Sequence, residues 1–218
     1  MSGSAARRLI ATFARISDAI DAAAEHLSEL DGAIGDADHG ISMALGFEAV
    51  AVALGQPRAE LATPAGVLNA AAGAFLNAVG ASTGPLYATG FRRAGERLGA
   101  VEVLDAATVA AMLQAFAAGV RERGKGQRGD KTMLDVWIPA AEAAAQAAAA
   151  GRGGADFWTA VTVAAEQGAA ATASMVATRG RAARLGERSL GHVDPGAASA
   201  VIIIAAMADA LDDLPNAA

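Results

Sequence analysis

The sequence predicts an all-α protein of about eight helices arranged as an antiparallel barrel or bundle, and three observations support this prediction. Apolar residues recur at spacings of three and four along most of the chain, which is typical of amphipathic helices. Alanine, the strongest helix former, is frequent in these segments. The one strand-like run, SAVIII, continues into AAMADALDDL at helical spacing, so no segment favours a β-strand.

Each predicted helix follows from its own apolar pattern. In the first helix, the apolar positions at helical spacing are Leu9, Phe13, Ile16, Ile20, Ala23 and Leu27. The remaining helices are predicted, in chain order, at residues 40–54, 63–79, 84–98, 106–123, 132–150, 156–178 and 196–213. Connections rich in Gly, Asp and Pro are predicted at residues 31–39, 80–84, 124–131, 151–155 and 179–195. No linker or internal repeat divides the chain, so we expect one domain over residues 1–218, with its helical core at about residues 5–213.

The composition excludes several classes of protein. Apolar types make up 54% of the 218 residues, which is enough for a large core, and the net charge is −6. The densest basic segment, Arg121–Arg128, is too short and interrupted for a nucleic-acid interface. Cysteine is absent, the N-terminal segment is charged throughout, and the apolar runs are shorter than the ~20 residues of a membrane span. We therefore expect a cytoplasmic protein with no nucleic-acid or membrane partner.

The segment DGAIGDADHG gathers three carboxylates, Asp31, Asp36 and Asp38, within eight residues. Carboxylate oxygens are the preferred ligands of Mg²⁺ and Ca²⁺. An EF-hand is excluded, because its required Gly and Glu are absent at the sixth and twelfth positions. Mg²⁺ shared with a polyphosphate fits this spacing better. The alternative is an ordinary solvated turn, in which Asp38 caps the helix that begins near Gly40.

Three further segments contain features suited to an anion. In VGASTGPLYATGF, the glycines, Ser82 and Thr83 precede a helix, where free N–H groups bind anions, although the segment is not a Walker A loop and both hydroxyls are also ordinary N-caps. In RGKGQRGDKTMLDVW, we expect Asp130 as the N-cap of the next helix and Lys131 as a candidate for phosphate contact.

The same basic segment adds Arg128 as a second candidate for phosphate contact. Met133 and Leu134, which follow it, are candidates to contact an adenine, although a Met at helical spacing more often lies in a core and the segment is also consistent with a solvated loop.

The fourth segment, TRGRAARLGERSLGHVDPGA, is a long connection with four arginines that ends in a cap and an N1 proline, Asp194-Pro195. Arginine is well suited to bidentate phosphate contact, and long loops in compact domains are usually functional or mobile. A flexible surface loop is the alternative. Together, an acidic cation loop, an anion-binding helix start and an arginine-rich loop predict a metal–nucleotide site, in which the protein mainly positions groups and neutralises charge.

The motifs GDADHG, STGPLY, GDKTMLD and GRAARLGERSLGHVDPGA, in this order, resemble the nucleotide-binding subunit of dihydroxyacetone kinases over about residues 5–213. The resemblance implies an eight-helix antiparallel barrel that holds ADP or ATP through two Mg²⁺ ions at its loop-lined rim. It implies Mg²⁺ ligands at Asp31, Asp36 and Asp38, phosphate contacts at His39, Gly40, Ser42, Ser82 and Thr83, an adenine pocket at Gly124 and Met133, and closure over the nucleotide by Arg181, Asp194, Pro195 and Gly196.

The sequence departs from the family pattern at three places. Ser42 stands where the family commonly has Asn, Gly80-Ala81-Ser82-Thr83 replaces Gly-Gly-Ala-Ser, and Ala183-Arg184 replaces a Ser-Tyr pair. None of these departures removes a carboxylate of the acidic segment.

The resemblance also implies partners, because in this family the ketose is bound on a separate kinase subunit. The phosphoryl donor is either a phosphohistidine on a third, phosphotransferase-system subunit, with ADP retained as a coenzyme, or freely exchanging ATP. Homodimerisation is left open. Alternatives are a related subunit that acts on a tetrulose or a fatty acid, a nucleotide-loaded regulatory module, and an alanine-rich scaffold without a ligand. We expect no catalytic side chain beyond the metal–nucleotide site.

Overall fold

The computed structural model describes residues 4–80 and 82–216, and within these residues it contains helices and no strand. The all-α prediction is therefore confirmed. Short 3₁₀ helices at Ala59–Ala62, Thr172–Ser174 and Ala182–Ser189 interrupt the connections. The α-helices of the described residues are α1 (Ser4–Ala22), α2 (Ala24–Ile34), α3 (His39–Leu54), α4 (Pro64–Ala78), α5 (Thr83–Leu98), α6 (Ala106–Gly124), α7 (Leu134–Ala149), α8 (Gly154–Ala171) and α9 (Pro195–Ala210).

The first predicted helix is divided in two, because the chain turns at Ala23. The N–H of Ala23 donates to the carbonyl of Ile20 at 3.2 Å, a tight i−3 bond that ends α1. Helix α2 then continues to Ile34, so the prediction of a loop over residues 31–39 is wrong for its first four residues. Buried Leu27 and Ile34 keep this segment helical despite the Asp and Gly between them. Asp31 consequently lies in the last turn of α2.

One other boundary differs from the prediction by more than three residues. The helix predicted to reach residue 178 ends at Ala171, where the hydroxyl of Thr172 donates to the carbonyl of Ala169 at 2.6 Å and the chain tightens into a 3₁₀ turn. The long connection that follows contains the 3₁₀ helix Ala182–Ser189. Residues 175–193, between the end of this turn and α9, are called the rim loop below.

Eight of the helices close into a ring. Each of α3 to α8 packs against the next in sequence, α9 packs against α1, and α1 packs against α3. Helix α2 packs against α3, α9 and the 3₁₀ helix of the rim loop. Short connections join the consecutive helices from α3 to α8, so these neighbours run antiparallel. Backbone hydrogen bonds at the end opposite the rim loop join Ala65 to Gly99, Ala106 to Pro215 and Gly154 to Leu214.

The core of the barrel is one apolar cluster to which all nine helices contribute. Alanine is its most frequent residue, as the composition suggests, and the few aromatic rings gather at its centre. The centroids of neighbouring rings lie between 4.5 and 6.4 Å apart for the pairs among Phe13, Phe47, Phe75, Tyr87, Phe91, Phe116 and Trp137, and most of these pairs are edge-to-face or tilted. Small residues on the ring allow the helices to close around this centre.

No helix within the described part of the chain is both long and apolar enough to cross a membrane.

Helices α2 and α3 approach each other closely at Gly40. A Cβ atom at this position would overlap the carbonyl oxygen of Ala24 and the hydroxyl of Ser28, both on α2. By contrast, Gly73, in the middle of α4, has no atom within 4 Å of the position that a Cβ would occupy. Substitution of Gly40 therefore tests the packing of α2 on α3, and substitution of Gly73 measures only the general effect of replacing a glycine within a helix.

We expect Gly40→Ala to lower the free energy of unfolding by about 1–3 kcal/mol, because backbone atoms must move to accommodate the methyl group. The matched control Gly73→Ala is expected to raise it by about 0.5–1 kcal/mol, since alanine is the better helix former and the space is open. Urea unfolding of both variants measures the difference. A Gly40→Ala variant as stable as the wild type would contradict the close approach of α2 and α3.

Candidate functional site

A cavity of ≈ 230 Å³ opens at the end of the barrel where α3, α5, α7 and α9 begin. The sequence-predicted site residues meet here although they come from four distant segments. Two of them, Asp36 and Gly40, do not line the cavity. Asp36 nevertheless lies beside Asp31 and Asp38, which do. The predicted residues that line it are Asp31, Asp38, His39, Ser42, Ser82, Thr83, Gly124, Met133, Arg181, Asp194, Pro195 and Gly196.

Three carboxylates form a cluster at one side of this cavity. One oxygen atom from each of Asp31, Asp36 and Asp38 lies within 4.8 Å of the other two, and no other group of this kind occurs among the residues described. Asp31 is almost buried, and its Oδ2 accepts hydrogen bonds from the backbone N–H groups of Asp38 (3.0 Å) and His39 (3.3 Å). Asp31 thereby fastens the end of α2 to the first turn of α3.

The turn between these helices is built around the Asp31 carboxylate. A Cβ atom at Gly35 would overlap that carboxylate, so only glycine allows the chain to pass at this distance. Ala37 adopts a left-handed conformation, with φ of 62°, which is uncommon for a residue with a side chain. The alternative in which Asp38 caps α3 fails, since the side chain of Asp38 makes no hydrogen bond to the first turn of this helix.

Arg181 of the rim loop reaches over to this cluster. Its guanidinium donates to Asp36 and to Asp38, with an Nη1–Oδ2 distance of 3.0 Å for Asp38. A positive group thus already lies against two of the three carboxylates, which reduces their mutual repulsion. All three participating side chains are about half exposed, so the ion pairs themselves add little to stability.

His39 lies behind the carboxylates and is buried. Its Nε2 is 2.9 Å from the hydroxyl of Ser199 on α9, and that hydroxyl donates to the carbonyl of Gly196. Burial lowers the pKa of His39 in spite of nearby Asp31 and Asp38, which favours the uncharged ring.

The start of α5 also lines the cavity and offers hydroxyl groups and free backbone N–H groups. Ser82 and Thr83 begin α5, and the Ser82 side chain makes no capping hydrogen bond, so the capping alternative fails for Ser82. The first N–H groups of a helix have no intrahelical partner and favour an anion. Ala81, which precedes Ser82, lies outside the described residues.

Apolar side chains also line the cavity, and the surface that they form is called the apolar floor below. Leu86, Val120, Met133 and Leu134 line the cavity beside Gly124, and Met133 and Leu134 are buried. Both members of the predicted Met133–Leu134 pair therefore face the cavity and also contribute to the core. A flat apolar ring of the size of adenine matches this combination of thioether and aliphatic surfaces.

Asp194 caps α9, as the sequence predicts, by accepting a hydrogen bond from the N–H of Ala197 at 2.8 Å. Burial raises the pKa of this carboxyl to about 7, even though the Ala197 N–H and the nearby ammonium of Lys131 act in the opposite direction. The carboxyls of Asp135 and Asp31 add to the increase.

Two predictions for the segment before α7 are wrong. Asp130 does not cap α7, because its carboxylate accepts from the Gln127 N–H and from Thr178, and α7 begins only at Leu134. Arg128 does not reach the cavity, since it pairs with Glu142 on the exposed surface.

Lys131 of the same segment lines the cavity, but its ammonium donates to the carbonyls of Thr172 and His192. It therefore offers a phosphate at most the one N–H that these two bonds leave.

Comparison with known proteins identifies the family. The DAK2 domain family matches residues 33–209, which is most of the chain. This chain belongs to the DAK2 domain family. The ADP-binding subunit DhaL of the PEP-dependent dihydroxyacetone kinase of Escherichia coli (strain K12) is 38% identical over 194 residues, which cover 89% of this chain and 91% of that protein. The corresponding subunit of kinase 1 of Listeria innocua is 39% identical over 83% of this chain and 84% of its own.

Solved structures support the same assignment for this DAK2 domain. The dihydroxyacetone kinase of C. freundii superposes with a TM-score of 0.74 and 25% identity over 96% of the chain. The same kinase in complex with AMP-PNP and Mg²⁺ gives a TM-score of 0.73. The DAK2 domain spans 35% of those kinase chains, about a third of their length.

Sequence reasoning missed several residues of this DAK2 domain site. Ser199 holds His39 from within α9, yet one serine in an alanine-rich helix gives no signal of its own. Arg179 and Gly180 line the cavity beside Arg181, and the density of arginine in that loop was a usable signal for Arg179. Gly126 lines it as well, within the segment for which the sequence predicts only a basic, glycine-rich connection.

We expect Asp194→Asn to flatten the pH dependence of stability in the acid to neutral range. The carboxyl holds its proton more tightly in the folded than in the unfolded chain, so its contribution to stability is complete below about pH 4 and is lost as the pH rises to about 7. Asparagine keeps the cap, since it is an equally good N-cap.

Urea unfolding without metal or nucleotide, at about pH 5 and about pH 8, measures this effect. Wild-type protein should lose more stability between the two conditions than the variant does. Equal losses would contradict the raised pKa of Asp194.

Proposed function

We propose that this chain is the Mg-nucleotide-binding subunit of a dihydroxyacetone kinase, a single domain that provides the phosphoryl group for a ketose held on a partner subunit. The observation that carries the proposal is the three-carboxylate cluster beside a cavity ringed by helix starts. The near full-length similarity to ADP-binding subunits of dihydroxyacetone kinases in two bacteria supports it. The activity is that of a kinase that works with partner subunits.

The cluster of Asp31, Asp36 and Asp38 fits Mg²⁺. An octahedral Mg²⁺ with ligands at about 2.1 Å separates neighbouring oxygens by about 3 Å and opposite oxygens by about 4 Å. The carboxylate oxygens, all within 4.8 Å of one another, reach this spacing with small side-chain rotations. The Arg181 guanidinium against Asp36 and Asp38 also indicates that the cluster attracts a cation. We propose two Mg²⁺ ions shared between these carboxylates and the phosphates.

The remaining predicted residues divide between the two ends of a nucleotide. We propose that the start of α3, with His39, Gly40 and Ser42, and the start of α5, with Ser82 and Thr83, bind the phosphates through N–H and hydroxyl groups. Gly40 would act through its backbone alone.

At the other end, Met133 and Gly124 would hold the adenine on the apolar floor. Arg181 and the Asp194-Pro195-Gly196 turn would close over the nucleotide, since all of them line the same cavity.

Positioning and charge neutralisation explain how such a site works. Bound Mg²⁺ offsets the negative charge that develops on the transferred phosphoryl group. The protein orients the nucleotide between two helix starts, and His39, whose burial lowers its pKa and favours the uncharged ring, adds a hydrogen-bonding group. We assign no general acid or base among the lining residues. The acceptor hydroxyl and its activation would then belong to the partner subunit.

The family relatives favour dihydroxyacetone over the larger ketoses. A D-erythrulose kinase of Mycolicibacterium smegmatis is 34% identical over 95% of this chain, but the match spans 36% of that kinase. The relatives matched over most of their own length are ADP-binding subunits of PEP- or PTS-dependent dihydroxyacetone kinases. We therefore propose a ketose-binding kinase subunit and a phosphohistidine-donor subunit as partners.

We expect Asp36→Ala to weaken Mg-dependent binding of ADP by at least about 100-fold, because loss of a hydrogen-bonding neighbour of a metal ligand already costs about 10–100-fold. Isothermal titration with ADP in the presence of Mg²⁺ measures the change. Asp209→Ala, which removes an exposed carboxylate near the other end of α9, is the matched control and should bind as the wild type does. Undiminished binding by Asp36→Ala would exclude Asp36 as a ligand.

The phosphoryl donor can be tested on the purified protein. If ADP is a retained coenzyme, the protein should copurify with stoichiometric ADP that resists dialysis in the presence of Mg²⁺ and leaves when the metal is chelated. Chromatographic analysis of the nucleotide released on denaturation measures the amount. A nucleotide-free protein that exchanges ATP within seconds would instead support direct use of ATP.

A further inference from the structure

The rim loop carries Arg179, Gly180 and Arg181 into the cavity, although little of the loop is packed in the core. Its interior is held by the hydrogen bond from the Ala177 N–H to the Ser189 hydroxyl, at 2.9 Å, and by packing of its 3₁₀ helix on α2. Arg181 immediately precedes that 3₁₀ helix. The position of Arg181 relative to the carboxylate cluster therefore also depends on how the two ends of the loop are attached.

The first end of the rim loop is bound to Asp130. The backbone N–H of Thr178 donates to the Asp130 carbonyl at 3.2 Å, and the Thr178 hydroxyl donates to Oδ1 at 2.8 Å. Arg179 Nε donates to Oδ2 of the same carboxylate at 3.3 Å. Burial by itself would raise the pKa of Asp130, but the hydrogen bonds from Thr178, Gln127 and Arg179 outweigh it and lower the pKa.

The second end is bound to the next residue, Lys131. Its side chain is almost completely buried, with 1% of the residue exposed, and Nζ donates to the carbonyls of Thr172 and His192. These carbonyls lie just before and at the end of the rim loop. A buried ammonium without such partners is strongly disfavoured, so the two carbonyls are held tightly to it. Burial lowers the pKa of this ammonium, and the nearby carboxyls of Asp194 and Asp135 act in the opposite direction.

We propose that Asp130 and Lys131 act together as a clamp that holds both ends of the rim loop and thereby positions Arg181 over the carboxylate cluster. Two adjacent residues of opposite charge close the loop at its base, and the left-handed backbone of Lys131, with φ of 59°, points their side chains to the two ends. Both are positioning residues. Their consequence for nucleotide binding rests on the proposed function, whereas the clamp itself does not.

Limited trypsin digestion tests the clamp without any ligand. The rim loop contains four exposed arginines, and Arg152, exposed between α7 and α8, provides a reference site in the same molecule. We expect Lys131→Met to raise cleavage within the loop, relative to cleavage at Arg152, by at least about 10-fold, because the ends of the loop are released. Thr178→Val, which removes one hydroxyl at constant size, should raise it in the same way.

Lys125→Met is the matched control. Lys125 is an exposed lysine in the same segment, it also has a left-handed backbone, with φ of 53°, and it contacts no part of the rim loop through a hydrogen bond. The variant loses its own cleavage site at position 125, but its cleavage within the rim loop, relative to cleavage at Arg152, should equal that of the wild type. If relative loop cleavage is unchanged in either test variant, or rises equally at Arg152, the clamp is overturned.

Titration with Mg²⁺ and ADP separates the clamp from the proposed function. We expect Lys131→Met to bind about 10-fold more weakly than the wild type and Lys125→Met to bind equally. If the loop is released but the wild type binds no ADP, the proposed function fails and the clamp stands. If the wild type binds ADP and the loop is not released, the clamp fails and the proposed function stands.

Discussion

The whole site depends on bringing three like charges together at the point where α2 meets α3. Asp31 comes from the last turn of one helix, and Asp36 and Asp38 come from the turn before the next. Their oxygens approach within 4.8 Å only because the two helices touch at Gly40 and the chain passes the Asp31 carboxylate at Gly35. Carboxylates at such distances repel, so the packing of α2 on α3 must be maintained against that repulsion.

The rest of the rim compensates this concentrated charge. Two backbone N–H groups bind Asp31, and Arg181 pairs with the other two carboxylates from across the cavity. Burial raises the pKa of Asp194 to about 7, which reduces the negative charge that this carboxyl adds nearby. Behind these groups, Lys131 lies among carbonyls and carboxyls instead of facing solvent. The polar network at the rim thus balances the charge of the site before any ligand enters.

Much of the site was predictable, because the residue types that bind metal and phosphate stand in compact motifs separated by regular helices. The motifs around Asp31, Ser82, Met133 and Asp194 each predict the start or the end of a helix. In an antiparallel barrel, the starts of alternate helices meet at one rim. What the motifs do not reveal is the direction of a side chain. The sequence predicts Lys131 as a candidate for phosphate contact, yet its ammonium donates to the carbonyls of Thr172 and His192, just before and at the end of the rim loop.

The sequence by itself determined the all-α class, the grouping of the three carboxylates and the helix starts with glycines and hydroxyls, because periodicity and residue chemistry are local properties. Only the tertiary structure decided that α1 and α2 are separate helices, that Asp130 and Lys131 bind the rim loop, and that Ser199 holds His39. Each of these depends on contacts between residues far apart in the chain. Burial and the need to satisfy buried polar groups select those contacts, and neither is written in a short stretch of sequence.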